Sequence, residues 1–151
     1  ELHPVLGLLQ MLVEPTDPVN YAPYWFREPL DWPGHAPSPI LATSGTLDAN
    51  TPYRGAIAMA GAAGLPPIPT RASSMPAVDL RGLENTPSPA SANATGYEGP
   101  LTAGFSQWYE GSHYVIFEEP RAAEMYRTFL RTAVDGQPVI DLPTDEPEWA
   151  Q

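Results

Sequence analysis

The chain has 151 residues, 42% of them hydrophobic, which is enough for one domain with one core. Its 18 acidic and seven basic residues give a formal charge of −11, so the chain cannot neutralise a phosphate backbone, and nucleic acid is excluded as a partner. The longest apolar stretches, residues 4–13 and 56–65, are shorter than the roughly 20 residues that a membrane span requires. We therefore expect no membrane span.

Cysteine is absent, which excludes disulfides, a thiol nucleophile and cysteine-ligated zinc. His3 and His35 have no partners at metal-ligand spacing, so we expect both at the surface and predict neither a metal nor another cofactor. The chain begins at Glu1 without a methionine or a signal peptide, and we expect that it follows a cut. The 20 prolines and the lack of cysteine and lysine are compatible with export, so an extracellular or periplasmic location is expected.

The first structured stretch is predicted to be a short helix over residues 4–13. Its apolar residues recur at the spacing of one helix face, Pro4 suits a first helical position, and Pro15 follows the end. From there to Pro39 the composition predicts a long irregular surface segment with apolar anchors. The aromatic anchors are Tyr21, Tyr24, Trp25, Phe26 and Trp32.

The second stretch predicts a strand followed at once by a helix. Residues 40–43 form a short apolar run between a proline and a glycine, as expected of a buried strand. Thr51 is a suitable N-cap and Pro52 a suitable first residue for a small-residue helix over residues 53–63, with Gly64 as its stop.

Between residues 66 and 100 the chain is dominated by proline, serine and alanine, and we interpret this stretch as an ordered but irregular insertion. Weak strand candidates lie at residues 67–70 and 77–80. For residues 86–95 a low-complexity linker is the alternative, because small and polar residues take nearly every position.

The third stretch repeats the order of the second. Residues 101–108 are predicted to form a strand, residues 110–113 a turn, and residues 121–134 an amphipathic helix with Pro120 at its start. The apolar stripe of that helix consists of Ala122, Met125, Tyr126, Phe129, Leu130 and Ala133. The tail from residue 141 to 151 is acidic and is expected to be mobile.

Strands followed by helices predict an α/β fold with parallel strands, in which functional groups gather beyond the carboxyl ends of the strands. Asp48 and His113 both fall at such positions. A carboxylate that accepts the Nδ1 proton of a histidine fixes the tautomer and stabilises the imidazolium formed in nucleophilic catalysis. Taken singly, Asp48 also fits a loop cap and His113 a structural turn, so these alternatives stay open.

The residues from Pro39 to Pro52, PILATSGTLDANTP, resemble the stretch of α/β-hydrolases in which the acid of the Ser-His-Asp triad follows a late strand. Gly111 to Phe117, GSHYVIF, resembles the loop that carries the family's histidine. The order also agrees, since the acid precedes the histidine in this family. The resemblance implies that Asp48 and His113 are triad members.

The chain departs from this family in one respect, because no serine lies in G-x-S-x-G: Ser44, Ser106 and Ser112 all lack it. The resemblance therefore implies only the C-terminal half of a mostly parallel hydrolase sheet with flanking helices, over residues 39–140. Residues 1–38 then take the place of a cap or lid. We expect that the N-terminal half, which carries the serine, is on a separate chain or has been removed by cleavage. The edge of the sheet against which that half would pair is then expected to be exposed.

The resemblance implies a carboxylic-ester hydrolase of esterase or lipase-like type, acting on a small-molecule, lipid or polymer ester. Trp25, Phe26, Trp32 and Trp108 are the candidate substrate-binding residues, with ordinary packing as the alternative. Two other functions stay open. One is a non-catalytic binding or assembly subunit that uses its aromatic-rich irregular segments, and the other is an independent proline-rich extracellular domain.

Overall fold

The computed structural model describes residues 3–30 and 32–145, and within them the protein is mixed α/β, with a small parallel sheet and flanking helices. The tip of the acidic tail, residues 146–151, lies outside the described residues. The helices are α1 (Pro4–Val13), α2 (Tyr53–Ala63), α3 (Pro76–Leu80), α4 (Val115–Glu118) and α5 (Pro120–Val134). The strands are β1 (Ile40–Gly45), β2 (Ala94–Gly96), β3 (Gly99–Leu101) and β4 (Ala103–Trp108).

The parallel sheet is built around β4. Strand β1 pairs with it in parallel, from Ile40 opposite Ala103 to Gly45 opposite Trp108. On the other side of β4, Pro67 forms an isolated parallel bridge with Phe105, and the Ile68 N–H donates to the Phe105 carbonyl at 2.8 Å. Strand β4 is therefore bonded on both sides. Among the described residues β1 has β4 as its single strand neighbour, so its outer edge is unpaired there.

Hydrophobic cores cover the two faces of this sheet. Because successive side chains of a strand point to opposite faces, Phe105 of β4 packs beneath α2 and α3, whereas Trp108 packs against α4 and α5. Buried members of the first core include Phe26, Ile57, Leu65, Met75 and Val78. Buried members of the second include Ile68, Val115, Met125, Phe129 and Ile140. The sheet thus lies between two helical layers, as parallel strands require.

The helix predictions hold at α1, α2 and α5, with differences at their ends. Gly64 adopts φ 79° and ends α2 as expected. The predicted N-cap of α2, Thr51, is wrong, because Pro52 occupies that position and no side chain caps the helix. The backbone N–H of Thr51 donates to the carboxylate of Asp48. Helix α5 buries Ala122, Met125 and Phe129 of its predicted stripe, whereas Leu130 is 45% exposed.

The insertion between residues 66 and 100 is more regular than its composition indicates. The candidate strand at 77–80 is wrong, since these residues belong to α3, which starts at Pro76 and buries Val78. Strands β2 and β3 form an antiparallel hairpin that the sequence did not reveal. Just before it, the Asn93 amide donates to the Ala103 carbonyl at 2.7 Å and accepts from the Ala103 N–H at 3.2 Å. This clamp ties the insertion to the start of β4.

Helix α1 forms as predicted but contributes nothing to either core. None of its residues is buried, and its first turn is capped by His3, whose Nδ1 accepts the N–H of Val5 at 3.2 Å. Its large apolar side chains are between 49% and 75% exposed: Val5, Leu6, Leu8, Leu9, Met11, Leu12 and Val13.

No helix in the part of the chain that the structure describes is long and apolar enough to cross a membrane.

Candidate active site

Asp48 and His113 meet at the carboxyl edge of the parallel sheet. Asp48 lies in the loop that follows β1, and His113 lies in the loop that follows β4. Since these strands are parallel neighbours, their following loops emerge side by side. The Nδ1 atom of His113 is 3.0 Å from Oδ2 of Asp48, a contact between residues 65 positions apart.

The carboxylate of Asp48 is held by its own loop. Its Oδ1 accepts the backbone N–H groups of Asn50 and Thr51, each at 2.8 Å, and its side chain is only 8% exposed. Desolvation raises the pKa of Asp48, but the hydrogen bonds it receives, first from Thr51 and then from His113, outweigh it, so this pKa lies below its ordinary value. The carboxylate is therefore ionised at neutral pH and can only accept hydrogen bonds.

His113 presents its remaining nitrogen as a base. Because the Asp48 carboxylate can only accept, the proton of the neutral imidazole lies on Nδ1, and Nε2 carries the free lone pair. The His113 side chain is 40% exposed, and its ring meets the Tyr114 ring edge-on, with centroids 5.0 Å apart. A histidine that a carboxylate orients in this way can take a proton from a nucleophile through Nε2.

Two glycines bring the two loops into contact. The Leu47 N–H donates to the Gly111 carbonyl at 2.9 Å, and the Glu110 N–H donates to the Thr46 hydroxyl at 2.8 Å. A Cβ added to Gly45 would lie 2.0 Å from the Gly111 carbonyl oxygen. The backbone of the histidine loop therefore packs directly on the end of β1, and only glycine allows this approach.

The described serines near the site are engaged elsewhere. The Ser112 hydroxyl donates to Oε2 of Glu118 at 2.5 Å and accepts the N–H of Tyr114 at 2.9 Å, which fixes the start of the histidine loop. Ser106 is buried in β4 and accepts the indole N–H of Trp108 at 3.1 Å. Across residues 3–30 and 32–145, no serine hydroxyl is hydrogen-bonded to His113. The site thus has an oriented base without a nucleophile from this part of the chain.

The four candidate substrate-binding aromatics are not gathered at one place, although Trp108 lines a cavity together with Gly111 and Ser112 of the histidine loop. Phe26 and Trp108 are 1% and 6% exposed and pack in the first and second cores, respectively. Trp25 lines a cavity at the amino end of β1, which is the end of the strand opposite Asp48. Trp32 is 74% exposed. Ordinary packing, the alternative kept above, describes Phe26 and Trp108.

Sequence reasoning missed the partner of His35, which it placed at the surface without one. Nδ1 of His35 lies 2.6 Å from the Tyr97 hydroxyl, and the two rings are stacked with centroids 5.5 Å apart. Desolvation, followed by the charge of Glu98, raises the pKa of Tyr97, so its hydroxyl stays protonated. Separated by 62 positions, the two residues gave no local signal.

Within the described ranges, no group of three or more histidine, aspartate or glutamate side chains is placed to hold a metal ion. Comparison of the chain with protein-family models, with curated proteins and with solved structures gives no match.

Proposed function

We propose that the chain acts as a carboxylic-ester hydrolase of esterase or lipase-like type and supplies the acid and histidine of a Ser-His-Asp triad. The observation that carries this proposal is the 3.0 Å hydrogen bond between Asp48 and His113. A loop cap needs only the bonds from Asn50 and Thr51, and a structural turn at His113 needs no carboxylate. The contact across 65 positions is what neither local role requires.

In the proposed reaction, a serine Oγ attacks the ester carbonyl while Nε2 of His113 takes its proton. The imidazolium then gives this proton to the leaving alcohol oxygen, which leaves an acyl-enzyme. Water attacks the acyl carbonyl, His113 takes a proton from it, and the serine regains its proton as the acid departs. Asp48 keeps the imidazole in the required tautomer and stabilises the imidazolium throughout.

The serine would come from the N-terminal half of the same hydrolase, present as a separate polypeptide. Two features support this partner. The outer edge of β1 is unpaired among the described residues, and a parallel strand added there would end beside Asp48. Helix α1 exposes apolar side chains, including Met11 and Leu12 at 72% and 75%, which a partner would cover.

Residues 39–140 would then be the C-terminal half of an α/β-hydrolase sheet, with residues 1–38 as a cap or lid. The substrate would be a small-molecule, lipid or polymer ester. The reaction would take place in an extracellular or periplasmic location, with which the composition is compatible. The oriented dyad supports the reaction type, whereas the choice among these esters depends on the pocket that the serine-bearing half completes.

The test is to label the purified protein with a fluorophosphonate and to measure the intact mass of every polypeptide in the sample. We expect the adduct on a serine of a second polypeptide. In the assembled protein, His113→Ala should abolish hydrolysis of p-nitrophenyl esters with little change in melting temperature, because this side chain is 40% exposed. An unlabelled sample, or a His113→Ala variant with normal hydrolysis, would contradict the proposal.

A second candidate is a non-catalytic binding or assembly subunit that uses the aromatic-rich irregular segment. A cavity of about 320 Å³ in that segment favours it. Its aromatic walls come from Tyr21, Tyr24 and Trp25, with His35 beside them. In this case Trp25→Ala or Trp32→Ala should weaken ligand retention in a protein that shows no hydrolysis. Unchanged retention in both variants argues against this candidate.

A further inference from the structure

Arg54 is one of the cations of this acidic chain that have no carboxylate partner among the described residues. Within residues 3–30 and 32–145, no carboxylate lies within ion-pair distance of it, whereas Arg71 and Arg131 are paired with Asp79 and Glu124. The contacts of Arg54 are with Tyr53. Its Nε donates to the Tyr53 hydroxyl at 3.5 Å, and its guanidinium carbon lies 6.0 Å from the centre of that ring. In the part of the chain that the structure describes, neither terminal nitrogen of the guanidinium has a hydrogen-bond partner, so both can bind a ligand.

This guanidinium lines a cavity of about 470 Å³ between α2 and the start of α3. The size falls within the range of small-molecule sites. Most of the wall is apolar, formed by Tyr53, Ile57, Ala58, Pro76 and Ala77. The remaining lining residues are Ser73 and Ser74, whose hydroxyls are short neutral hydrogen-bonding groups. One cation and two hydroxyls thus border an otherwise apolar hollow.

We propose that this cavity binds an amphipathic monocarboxylate, with the carboxylate on Arg54 and the alkyl or aryl body against Ile57 and Pro76. The planar guanidinium matches a carboxylate through two parallel hydrogen bonds. The Ser74 hydroxyl can donate to the same anion, whereas the Ser73 hydroxyl donates to the Ser74 carbonyl at 3.3 Å. Arg54 also lies in the first turn of α2, a helix of 11 residues, where the backbone favours a negative charge.

The charge of the whole chain makes this proposal specific. A formal charge of −11 repels anions at long range, so a carboxylate binds only where a local cation outweighs that field. The inference does not depend on the proposed hydrolase activity, because it rests on the α2–α3 cavity and involves neither Asp48 nor His113.

The test is a titration of the ¹⁵N-labelled chain with sodium octanoate, and in parallel with 1-octanol, followed by amide chemical shifts. We expect octanoate to shift the amides of residues 53–58 and 73–77. Arg54→Gln should lower the affinity for octanoate by about 10- to 100-fold, since a hydrogen-bonded ion pair is lost. The affinity for octanol should change by less than about two-fold. Arg54→Lys keeps the charge without the planar guanidinium, so its octanoate affinity should lie between those of the wild type and Arg54→Gln.

Arg81→Gln is the matched control, because it removes the same charge from an exposed arginine outside the cavity lining. It should leave the octanoate affinity unchanged within about two-fold. Ala58→Trp fills the apolar wall from an exposed helix position and should weaken both octanoate and octanol. The proposal is overturned if octanoate does not shift these amides at millimolar concentration, if Arg81→Gln weakens it as much as Arg54→Gln, or if octanol binds as tightly as octanoate.

Discussion

Replacing Gly45 with alanine should separate the histidine loop from the sheet. An alanine Cβ at this position would lie 2.0 Å from the Gly111 carbonyl oxygen and 2.5 Å from that of Ser112. Both atoms belong to the backbone, so they cannot rotate away as a side chain would. To restore a separation of 3.0 Å, the Gly111 carbonyl must retreat by about 1 Å. His113 lies two residues further along and moves with it.

This overlap should lower both the free energy of unfolding and the rate of the proposed reaction. Forcing an extra methyl into a packed site costs about 1–3 kcal/mol, and for a chain of this length each kcal/mol lowers the melting temperature by about 2–4 °C. The same retreat would stretch the 3.0 Å bond between His113 and Asp48 beyond hydrogen-bonding distance. In the proposed hydrolase, misplacing the base by about 1 Å should lower the rate by about 100-fold.

Urea denaturation measures the free energy of unfolding, and the NMR signal of the His113 Nδ1–H reports its hydrogen bond to Asp48. Gly55→Ala is the matched control, because a Cβ there meets nothing within 4 Å. Inside α2 this change should raise the stability by about 0.5–1 kcal/mol. If Gly45→Ala is as stable as Gly55→Ala and the His113 Nδ1–H signal is unchanged, the close packing of the two loops is refuted.

Three further changes test other parts of the structure. Hydrogen bonds outweigh desolvation and lower the pKa of Asp48, so the stabilisation from its charge is present above about pH 4 and is lost as the pH falls through the folded-state value. The difference in unfolding free energy between the wild type and Asp48→Asn should thus shrink below about pH 4, and a difference independent of pH would contradict this. Gln107 is buried, and its amide has no partner among the described residues, so Gln107→Met should stabilise the protein by about 1 kcal/mol or more in thermal denaturation; a loss of stability would count against it. Asn93→Ala removes both bonds to Ala103 and should cost about 1–3 kcal/mol, whereas equal stability would mean that the clamp is not needed.

The sequence predicted the elements whose signals are local. The proline starts, the apolar spacing and the glycine stop predicted α1, α2 and α5, and the run at residues 40–43 predicted β1. The same reading placed Asp48 and His113 just after two predicted strands, at residues 40–43 and 101–108. A parallel pairing of those strands then suffices to bring the side chains together, and the structure has that pairing. Their catalytic roles stay a prediction.

Only the tertiary structure decided which apolar residues are buried and which distant residues meet. Phe26 and Leu12 are both large apolar residues near the start of the chain, and the sequence does not tell which of them is buried. Phe26 is 1% exposed because it packs in the first core against α2 and the sheet, whereas Leu12 is 75% exposed and packs in neither core. The clamp of Asn93 and the contact of His35 with Tyr97 were equally invisible. Helix caps and strand runs depend on neighbours within a few residues, whereas burial and pairing depend on chain segments tens of residues away, whose approach no local pattern encodes.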